Sequence, residues 1–183
     1  MKSVFAGGSR KVTRLNAEIR KRLDQIIAKH LSVLVGDANG ADKAIQKYLS
    51  DRQYDKVVVF CTADACRNNL GEWAVRSVAP PHETRDFAFF TAKDAAMARE
   101  AEYGFMLWDG ESAGTIVNVA RLVAAGKPVV IYLSPRKIFV TLKSRQELDV
   151  LLHEIPAAAA ARVKRYIAEH AREFEQQSMF GAA

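Results

Sequence analysis

Asp109 and Glu111, near the middle of the chain, are carboxylates placed where they could do chemistry. Both follow directly after an apolar run at 103–108, and Gly114 and Thr115 come just behind them. A carboxylate can transfer a proton, glycine lets a ligand approach the backbone, and a threonine hydroxyl can cap a helix or bond a phosphate. The segment predicts a ligand-binding loop whose candidate catalytic residues are Asp109 and Glu111. An ordinary capped loop is the alternative.

This loop lies inside a predicted βαβ unit. Residues 103–108 and 129–133 are apolar runs typical of strands covered on both faces of a parallel sheet, and residues 116–125 carry apolar side chains at helical spacing. The loop therefore follows the carboxyl end of a parallel strand. Open parallel sheets bind ligands at that edge, and a helix N-terminus there presents free N–H groups to an anion.

Glycine also follows the predicted strands 2–6 and 31–35. Three glycine-bearing loops that each open a helix are explained better by a shared ligand cleft than by chance turn chemistry. Basic residues of the first loop could pair with a phosphate, although a turn with solvated basic residues is equally compatible. Asp37 and Asp42 of the second loop would repel a phosphate, so we assign them to sugar hydroxyls or to bonds within the loop.

A predicted strand at 56–61 leads into a long polar loop that contains Arg67, Asn68, Asn69 and Trp73. A bidentate cation, two amides and a ring suit a base or a sugar phosphate, although Trp73 could equally be a core residue. The predicted ligand-binding residues are Gly7, Gly8, Ser9, Arg10, Gly36, Asn39, Gly40, Asp42, Arg67, Asn68, Asn69, Asp109, Gly110, Ser112, Gly114, Thr115 and Asn118.

The elements around these loops predict a doubly wound, mainly parallel, Rossmann-like α/β sheet over residues 1–143, followed by a C-terminal helical extension over 144–183. Residues 87–90 predict at most a brief strand, and 91–94 match a capping box that opens a helix at 95–102. A possible edge strand covers 138–142, and a second capping box begins at Ser144. The last helix carries an apolar stripe that must pack on the domain or on another subunit, so we expect a homo-oligomer. The stripe consists of Val163, Tyr166, Ile167, His170 and Phe174.

Composition narrows the functional classes. The chain has 27 basic and 21 acidic residues, a net charge of +6, and these charges are mixed along its 183 residues without the interleaved aromatic residues that stack on single-stranded nucleic acid. A nucleic-acid partner is therefore the least favoured class. No run is long enough to span a membrane and the first residues are too short for a secretory signal, so we expect no membrane partner and a cytoplasmic location.

Cys61 and Cys66 have a spacing that matches neither the usual zinc pairs nor a redox pair, so we expect buried or idle thiols. None of the four histidines stands at ligand spacing from another histidine, a cysteine or a carboxylate. The sequence predicts no metal and no cofactor.

The glycine loops at Gly7 to Arg10 and at Gly36 with 39–42, together with Asp109, Gly110, Gly114 and Thr115, resemble those of the SLOG superfamily, the Rossmann-like group that contains the DprA and LOG proteins. The resemblance covers about residues 2–133. It implies binding of a nucleotide ligand, N-glycosidic phosphoribohydrolase activity or DNA processing. The segment from Arg67 to Thr115 is also similar to a bacterial branch of small proteins of the group.

One departure concerns catalysis. LOG-type hydrolases carry a glutamate three residues after the Gly-Thr pair, where this chain has Asn118. An amide is not a general base at neutral pH, so the matching role is absent unless Asp109, Glu111 or Glu72 supplies it. The leading hypothesis is a binding module for a nucleotide or a nucleotide-derived molecule. The alternative is an N-glycosidic hydrolase or transferase acting on nucleosides or nucleoside monophosphates.

Overall fold

A seven-stranded β-sheet organises the fold. The computed structural model describes residues 2–63, 66–84 and 87–169. The strands are β1 (Ser3–Gly8), β2 (Ser32–Gly36), β3 (Val57–Thr62), β4 (Ala74–Val78), β5 (Tyr103–Trp108), β6 (Val129–Leu133) and β7 (Ile138–Leu142). The helices are α1 (Ala17–Ala28), α2 (Ala41–Asp51), α3 (Phe87–Glu100), α4 (Ala113–Ala124), α5 (Arg145–His153) and α6 (Ala157–Glu169).

The strand order is β4-β3-β2-β1-β5-β6-β7. Every neighbouring pair is parallel except β6 and β7, which are antiparallel. The chain therefore winds outward from β1 in one direction and then, from β5, in the other, which confirms the predicted doubly wound fold. The strand order reverses between β1 and β5, and ligands of open α/β sheets bind at such a switch point.

Two hydrophobic cores lie against the sheet, because its central strands are apolar on both faces. One core contains buried residues of α1 and α2, such as Leu23 and Ile45. The other contains residues of α3, α4, α5 and α6, such as Met97, Leu122 and Val163. Helices on both faces hold the carboxyl ends of the central strands in register, so the loops that follow β1, β2 and β5 meet at one edge.

The structure corrects the prediction for residues 87–102. Residues 87–90 are not a strand, because α3 begins at Phe87. The predicted capping box at 91–94 therefore lies inside the helix. A short apolar run is compatible with either state on periodicity alone, and here burial of Met97 and Ala98 in the core selects the helix. Strand β4 was not predicted, because it is an edge strand whose side chains are mostly exposed.

The structure also corrects the prediction of buried or idle thiols: Cys61 is buried, but it forms a disulfide with Cys66, so neither is a free thiol. Cys61 is the next-to-last residue of β3, and Cys66 stands directly before Arg67. The bond closes the start of the long polar loop that follows β3. Sequence spacing could not reveal it, since this spacing is not one of the recurrent cysteine motifs.

The C-terminal helices pack on the sheet domain. Ser144 caps α5, with both hydrogen bonds of the predicted capping box present. Val163 of α6 is fully buried in the core, and Tyr166 and Ile167 pack against it. His170 and Phe174 of the predicted stripe lie outside the described residues. The domain itself therefore covers Val163, Tyr166 and Ile167, and these residues give no reason to expect a second subunit. The homo-oligomer stays a prediction.

Among the described residues, no helix is both long enough and apolar enough to cross a lipid bilayer.

Candidate functional site

A cleft of about 710 Å³ opens at the switch point between β1 and β5. Its lining comes from β1 and the loops after β1, β2, β3 and β5, from the first turn of α2 and the first two turns of α4, from one face of α3 and from one residue of α6. The lining residues are Phe5, Gly7, Gly8, Arg10, Lys11, Ala38, Asp42, Arg67, Phe90, Thr91, Lys93, Asp94, Asp109, Glu111, Ser112, Ala113, Gly114, Thr115, Asn118 and Arg162.

A chain of hydroxyl groups ties the loop after β1 to the start of α4. Ser9 Oγ lies 3.0 Å from Asp109 Oδ1 and 3.1 Å from Thr115 Oγ1, and Thr115 Oγ1 donates to Ser112 Oγ at 3.2 Å. Ser9 itself is fully buried beneath the cleft. The Ser9 and Thr115 side chains are therefore engaged with the protein, and their role is to hold the two loops together.

Asp109 is an organising residue of its loop. Its Oδ1 accepts hydrogen bonds from the backbone N–H groups of Glu111 at 3.0 Å and of Ser112 at 2.8 Å. Partial burial tends to raise the pKa of Asp109, but these hydrogen bonds and the one from Ser9 outweigh it and hold the pKa below its ordinary value. A carboxylate with a lowered pKa is a weak general base.

Glu111, the other predicted catalytic candidate, lies at the rim of the cleft. Its side chain is 59% exposed and pairs with Lys11 at 2.7 Å. A solvated ion pair of this kind has neither the burial nor the fixed neighbours that tune a catalytic carboxyl group. The structure therefore brings Asp109 and Glu111 to the cleft without giving either the environment of a proton-transfer group.

The first turn of α4 faces the cleft without a side-chain cap. Ser112 occupies the N-cap position but makes no capping hydrogen bond, whereas Asn16 caps α1 and Ser144 caps α5. The first N–H groups of a helix have no partner within the helix, and they favour an anion. Gly114 lies in this turn and lines the cleft. Arg10 and Lys11 line the cleft too; Arg10 adds positive charge, whereas the charge of Lys11 is paired with Glu111.

Lys93 is the centre of a group of charges at the cleft, which we call the ion cluster: Lys93, Asp37, Asp42 and Asp94, of which all but Asp37 line the cleft. The Lys93 ammonium lies 2.8 Å from Asp94 Oδ1, 3.8 Å from Asp37 Oδ1 and 4.0 Å from Asp42 Oδ2, and its side chain is 5% exposed. Burial tends to lower the pKa of Lys93, but the charges of Asp94 and Asp42 outweigh it and raise the pKa. Lys93 is therefore a fixed cation.

Asp42 is the carboxyl group that the cluster perturbs most. Its burial, opposed by Lys93 and reinforced by Asp94, raises its pKa to about 6. Within the described residues its carboxylate accepts one hydrogen bond, which the Ala38 N–H donates at 3.3 Å. Asp42 thus changes its protonation state close to neutral pH, a property that suits general acid–base chemistry.

Gly7 and Gly36 make room for this cluster. A Cβ atom on Gly36 would lie 2.4 Å from Asp42 Oδ2 and 2.6 Å from Lys93 Nζ, and one on Gly7 would lie 3.1 Å from Asp42 Oδ1. Gly36 lies outside the cleft lining. Two of the glycines that predicted a close approach by a ligand therefore accommodate a lysine and an aspartate of the protein itself.

Gly8 and Gly40 serve the packing of the backbone. A Cβ on Gly8 would meet Leu107 O at 2.1 Å, and one on Gly40 would meet Arg10 O at 2.3 Å, while Gly40 also has a φ of +88°. Gly110 has a φ of +85°, which favours glycine at the turn after β5. Gly8 lines the cleft, whereas Gly40 and Gly110 do not.

The predicted polar residues of the loop after β3 divide into one that faces the cleft and two that do not. Arg67 lines the cleft and binds both oxygens of Asp37, through Nε at 2.9 Å and Nη2 at 2.6 Å. Asn68 is buried, where it donates to Asp37 O at 2.7 Å and to Asn39 Oδ1 at 3.1 Å. The Asn69 side chain donates to Trp73 O at 2.8 Å and accepts from the Trp73 N–H at 3.1 Å. Asn68, Asn69 and Asn39 shape the loops and do not line the cleft.

Arg67 also contributes to the lowered pKa of Asp37. Burial tends to raise the pKa of Asp37, but hydrogen bonds from the Arg67 side chain and backbone, with the charge of Lys93, hold it below its ordinary value. Trp73 is packed against the core that contains α1 and α2, and its Nε1 donates to Tyr54 O at 2.8 Å. Trp73 is therefore a packing residue.

Asn118 lies at the floor of the cleft with both ends of its amide in use. Its Oδ1 accepts from Arg121 Nη1 at 2.9 Å, and its Nδ2 donates to Asp94 Oδ2 at 3.1 Å. Because Arg121 can only donate, it fixes the orientation of the amide and turns the NH₂ group toward Asp94. Asn118 thus positions a carboxylate contributed by α3.

The sequence predictions missed Lys93, Asp94, Phe90 and Arg162, all of which line the cleft. The first three lie on α3, where residues 91–94 matched a helix cap and 87–90 a strand. Arg162 lies in a basic run that is typical of a solvated helix face. The signal that could have found the three residues of α3 is a lysine and an aspartate at helical spacing from Phe90, on a helix that returns to the central unit.

One group of three potential metal ligands exists among the described residues: Asp37, Cys61 and Cys66, whose ligand atoms lie within 4.8 Å of one another. Both sulfur atoms are joined in the disulfide, and both Asp37 oxygens accept hydrogen bonds from Arg67. In this arrangement the two cysteines supply no thiolate ligand, and the Asp37 carboxylate is paired with Arg67.

These features define a doubly wound α/β protein with a polar, charge-rich cleft at its switch point. No protein-family model matches the chain, and neither the curated proteins nor the solved structures include a match.

Proposed function

We propose that the protein binds a nucleotide or a nucleotide-derived molecule in the cleft at the switch point. The observation that carries this proposal is the uncapped first turn of α4, which lines the cleft beside Arg10 and Lys11. A phosphate group is the ligand that best satisfies helix N–H groups and nearby cations together. The resemblance to the SLOG superfamily implies the same class of ligand.

The charges of the cleft favour a ligand that is anionic at one part only. Three carboxylates surround Lys93, so a phosphate placed against the ion cluster would meet repulsion. The same carboxylates accept hydrogen bonds from hydroxyl groups. A molecule with a phosphate on α4 and hydroxyl groups at the ion cluster matches both parts, and a nucleotide has this composition.

Isothermal titration calorimetry with a panel of nucleoside monophosphates tests the proposal. We expect binding by the wild-type protein, and a loss of about tenfold or more in Gly114→Val, because a β-branched side chain would occupy the space in which a phosphate approaches the helix N-terminus. Thermal melting of the variant checks that it is folded. If no nucleotide in the panel binds at millimolar concentration, the proposal is wrong.

Two arginines of the loop after β1 provide a matched pair of variants. Arg10→Gln removes a charge that lines the cleft, whereas Arg14→Gln removes the same charge from an exposed side chain outside it. We expect the first substitution to weaken binding and the second to leave it nearly unchanged. Equal effects would mean that only the net charge of the protein matters.

Cleavage of the N-glycosidic bond is the second candidate function, and one observation favours it. Asp42 has a pKa raised to about 6 and lies with Asp94 around the same ammonium group in the cleft. Such a group could protonate a departing base, while a second carboxylate assists the attack of water. In this version of the hypothesis the carboxylates are Asp42 and Asp94 in place of Asp109 and Glu111.

An assay for free base separates the two functions. If the protein only binds, nucleoside monophosphates stay intact after long incubation with it. If it is a hydrolase, the wild-type protein releases base and both Asp42→Asn and Asp94→Asn abolish the release. Release that is instead abolished by Asp109→Asn or Glu111→Gln would restore the assignment made from the sequence.

A further inference from the structure

Four residues that line the cleft are related by helical spacing on α3 and α4 and by one hydrogen bond between the two helices. Gly114 and Asn118 are four residues apart on α4, so they lie on the same face about one turn, roughly 5.4 Å, from each other. Asn118 Nδ2 reaches Asp94 Oδ2 at 3.1 Å. Phe90 and Asp94 are again four residues apart, on α3. All four residues line the cleft.

The direction of the two helices places these groups relative to one another. Helix α3 connects β4 to β5 and helix α4 connects β5 to β6, and these strands are parallel, so the two helices run in the same direction. Asp94 therefore lies about one turn deeper than the first turn of α4, whereas Phe90, one turn before Asp94 on α3, lies back at the level of the α4 N-terminus. In a mononucleotide the sugar joins the phosphate to the base, so a ligand with its phosphate on α4 and its base at Phe90 places its sugar between them, next to Asp94.

Asp94 has acceptor capacity left for a ligand. Lys93 Nζ donates to its Oδ1 at 2.8 Å and Asn118 donates to its Oδ2 at 3.1 Å, while a carboxylate can accept about four hydrogen bonds. Its side chain is 18% exposed, in contrast to the 5% of Lys93. Lys93 and Asn118 thus hold the carboxylate from the protein side, and the remaining acceptor positions are open to the cleft.

Phe90 is an exposed aromatic residue in a polar site. It is 40% exposed, it lines the cleft, and it forms an edge contact with Phe89 at a centroid distance of 5.2 Å. A flat ring at the wall of a charged cleft offers a surface on which a nucleobase can stack, and stacking of this kind tolerates different bases.

We infer that the cleft selects ribonucleotides over deoxyribonucleotides, with the 2′- and 3′-hydroxyl groups of the ribose donating hydrogen bonds to Asp94 and the base stacking on Phe90. This inference rests on the proposed nucleotide binding and names its substrate class. A 2′-deoxyribonucleotide keeps the phosphate and the base but lacks one donor. It therefore leaves part of the carboxylate, already removed from bulk water, without a partner.

Paired titrations test the inference. The probes are AMP, GMP, CMP and UMP, each compared by calorimetry with its 2′-deoxy form on the full chain. We expect at least one ribonucleotide to bind about tenfold more tightly than its deoxy form, the usual effect of one hydrogen bond to a charged acceptor. Equal affinities, or tighter binding of the deoxy forms, overturn the inference while the proposed function stands. Absence of binding by every probe overturns both.

Three variants assign the selectivity to its residues. Asp94→Asn, which keeps the shape of the side chain, is expected to reduce the ribose-to-deoxyribose ratio to about threefold or less. Phe90→Ala is expected to weaken ribo- and deoxyribonucleotides by the same factor, because the ring contacts the base. Glu100→Gln is the control, since Glu100 lies on the same helix and pairs with Arg76 outside the cleft lining.

The selectivity ratio is a readout that a purely structural role would not change. If Asp94→Asn weakens both nucleotides equally and preserves the ratio, Asp94 does not read the sugar and the assignment is wrong. If Asp94→Asn does not fold, the wild-type ratio together with the uniform effect of Phe90→Ala decides the inference.

Discussion

Replacement of Asp42 by asparagine should change how the stability of the protein depends on pH. Burial raises the pKa of Asp42 from an ordinary 3.8 to about 6, so the folded protein holds a proton there that the unfolded chain has lost. Stability from this proton is fully present below about pH 3.8 and is lost as the pH rises through about 6. Each unit between the two pKa values corresponds to about 1.4 kcal/mol, so the free energy of unfolding falls by on the order of 3 kcal/mol across this range.

Asp42→Asn has no such proton to lose, and the amide keeps the shape of the side chain. The free energy of unfolding of the variant minus that of the wild type should therefore increase by up to about 3 kcal/mol between pH 4 and pH 7.5. Urea unfolding at half-unit pH steps measures this difference. Taking the difference removes the contributions of carboxyl groups that both proteins share.

Asp109→Asn is the matched control, with the opposite sign. Hydrogen bonds from its own loop hold the pKa of Asp109 below its ordinary value, so its contribution to stability is present above the ordinary pKa and is lost as the pH falls. The difference between variant and wild type should therefore fall as the pH rises. A flat difference for Asp42→Asn, or one with the same sign as that of Asp109→Asn, would refute the account of the ion cluster.

Three further predictions concern stability, and urea unfolding measures each. Gly36→Ala should destabilise the fold by about 2 kcal/mol or more, because the new Cβ would clash with Asp42 and Lys93. Gly126→Ala is its control: no atom lies within 4 Å of the new Cβ, and the φ of +69° alone should cost only about 1 kcal/mol. Equal costs would contradict the packing argument. Cys66→Ser should lower the free energy of unfolding by roughly 2 kcal/mol, the value for a disulfide that closes a short loop. Reductant should lower the urea midpoint of the wild-type protein and leave that of the variant unchanged. A wild-type midpoint that reductant does not change would count against the disulfide. Lys93→Met should cost about 3 kcal/mol or more at neutral pH, because it leaves Asp42 and Asp94 without their cation while Asp37 keeps Arg67, and it should cost less at pH 4. A cost independent of pH would exclude the charge explanation.

The central strands were predictable because their composition leaves few alternatives. Strand β5 and strand β6 have the predicted bounds, and β1, β2 and β3 differ from prediction by one or two residues at their ends. Continuous β-branched and apolar runs indicate strands that are buried on both faces. The edge strand β4 carries no such run, and the apolar segment at the start of α3 is compatible with either state, so both depended on tertiary packing.

The candidate site was predictable where it depends on topology. Parallel strands bring the loops after β1 and β5 to one edge, and the cleft lies there. The role of each residue was not predictable from spacing. Gly36 leaves space for the side chains of Asp42 and Lys93, and the Asn68 side chain donates hydrogen bonds to the loop after β2. The contacts of Gly36 with Lys93 and of Asn68 with that loop join segments that are far apart in the sequence. Only the fold determines which distant side chains a small residue must accommodate.

The cleft takes its lining from Phe5 of the first strand and from Arg162 of the last described helix, with contributions from α2, α3, α4 and the loops after β1, β2, β3 and β5. A ligand bound there bridges segments that separate only when the sheet domain comes apart. Its binding energy should therefore be lost in global opening of the protein more than in local fraying. Saturating nucleotide should slow hydrogen exchange of the slowest amide groups in β1, β5 and β6, while the exposed edge strand β4 should exchange at nearly the same rate with and without ligand.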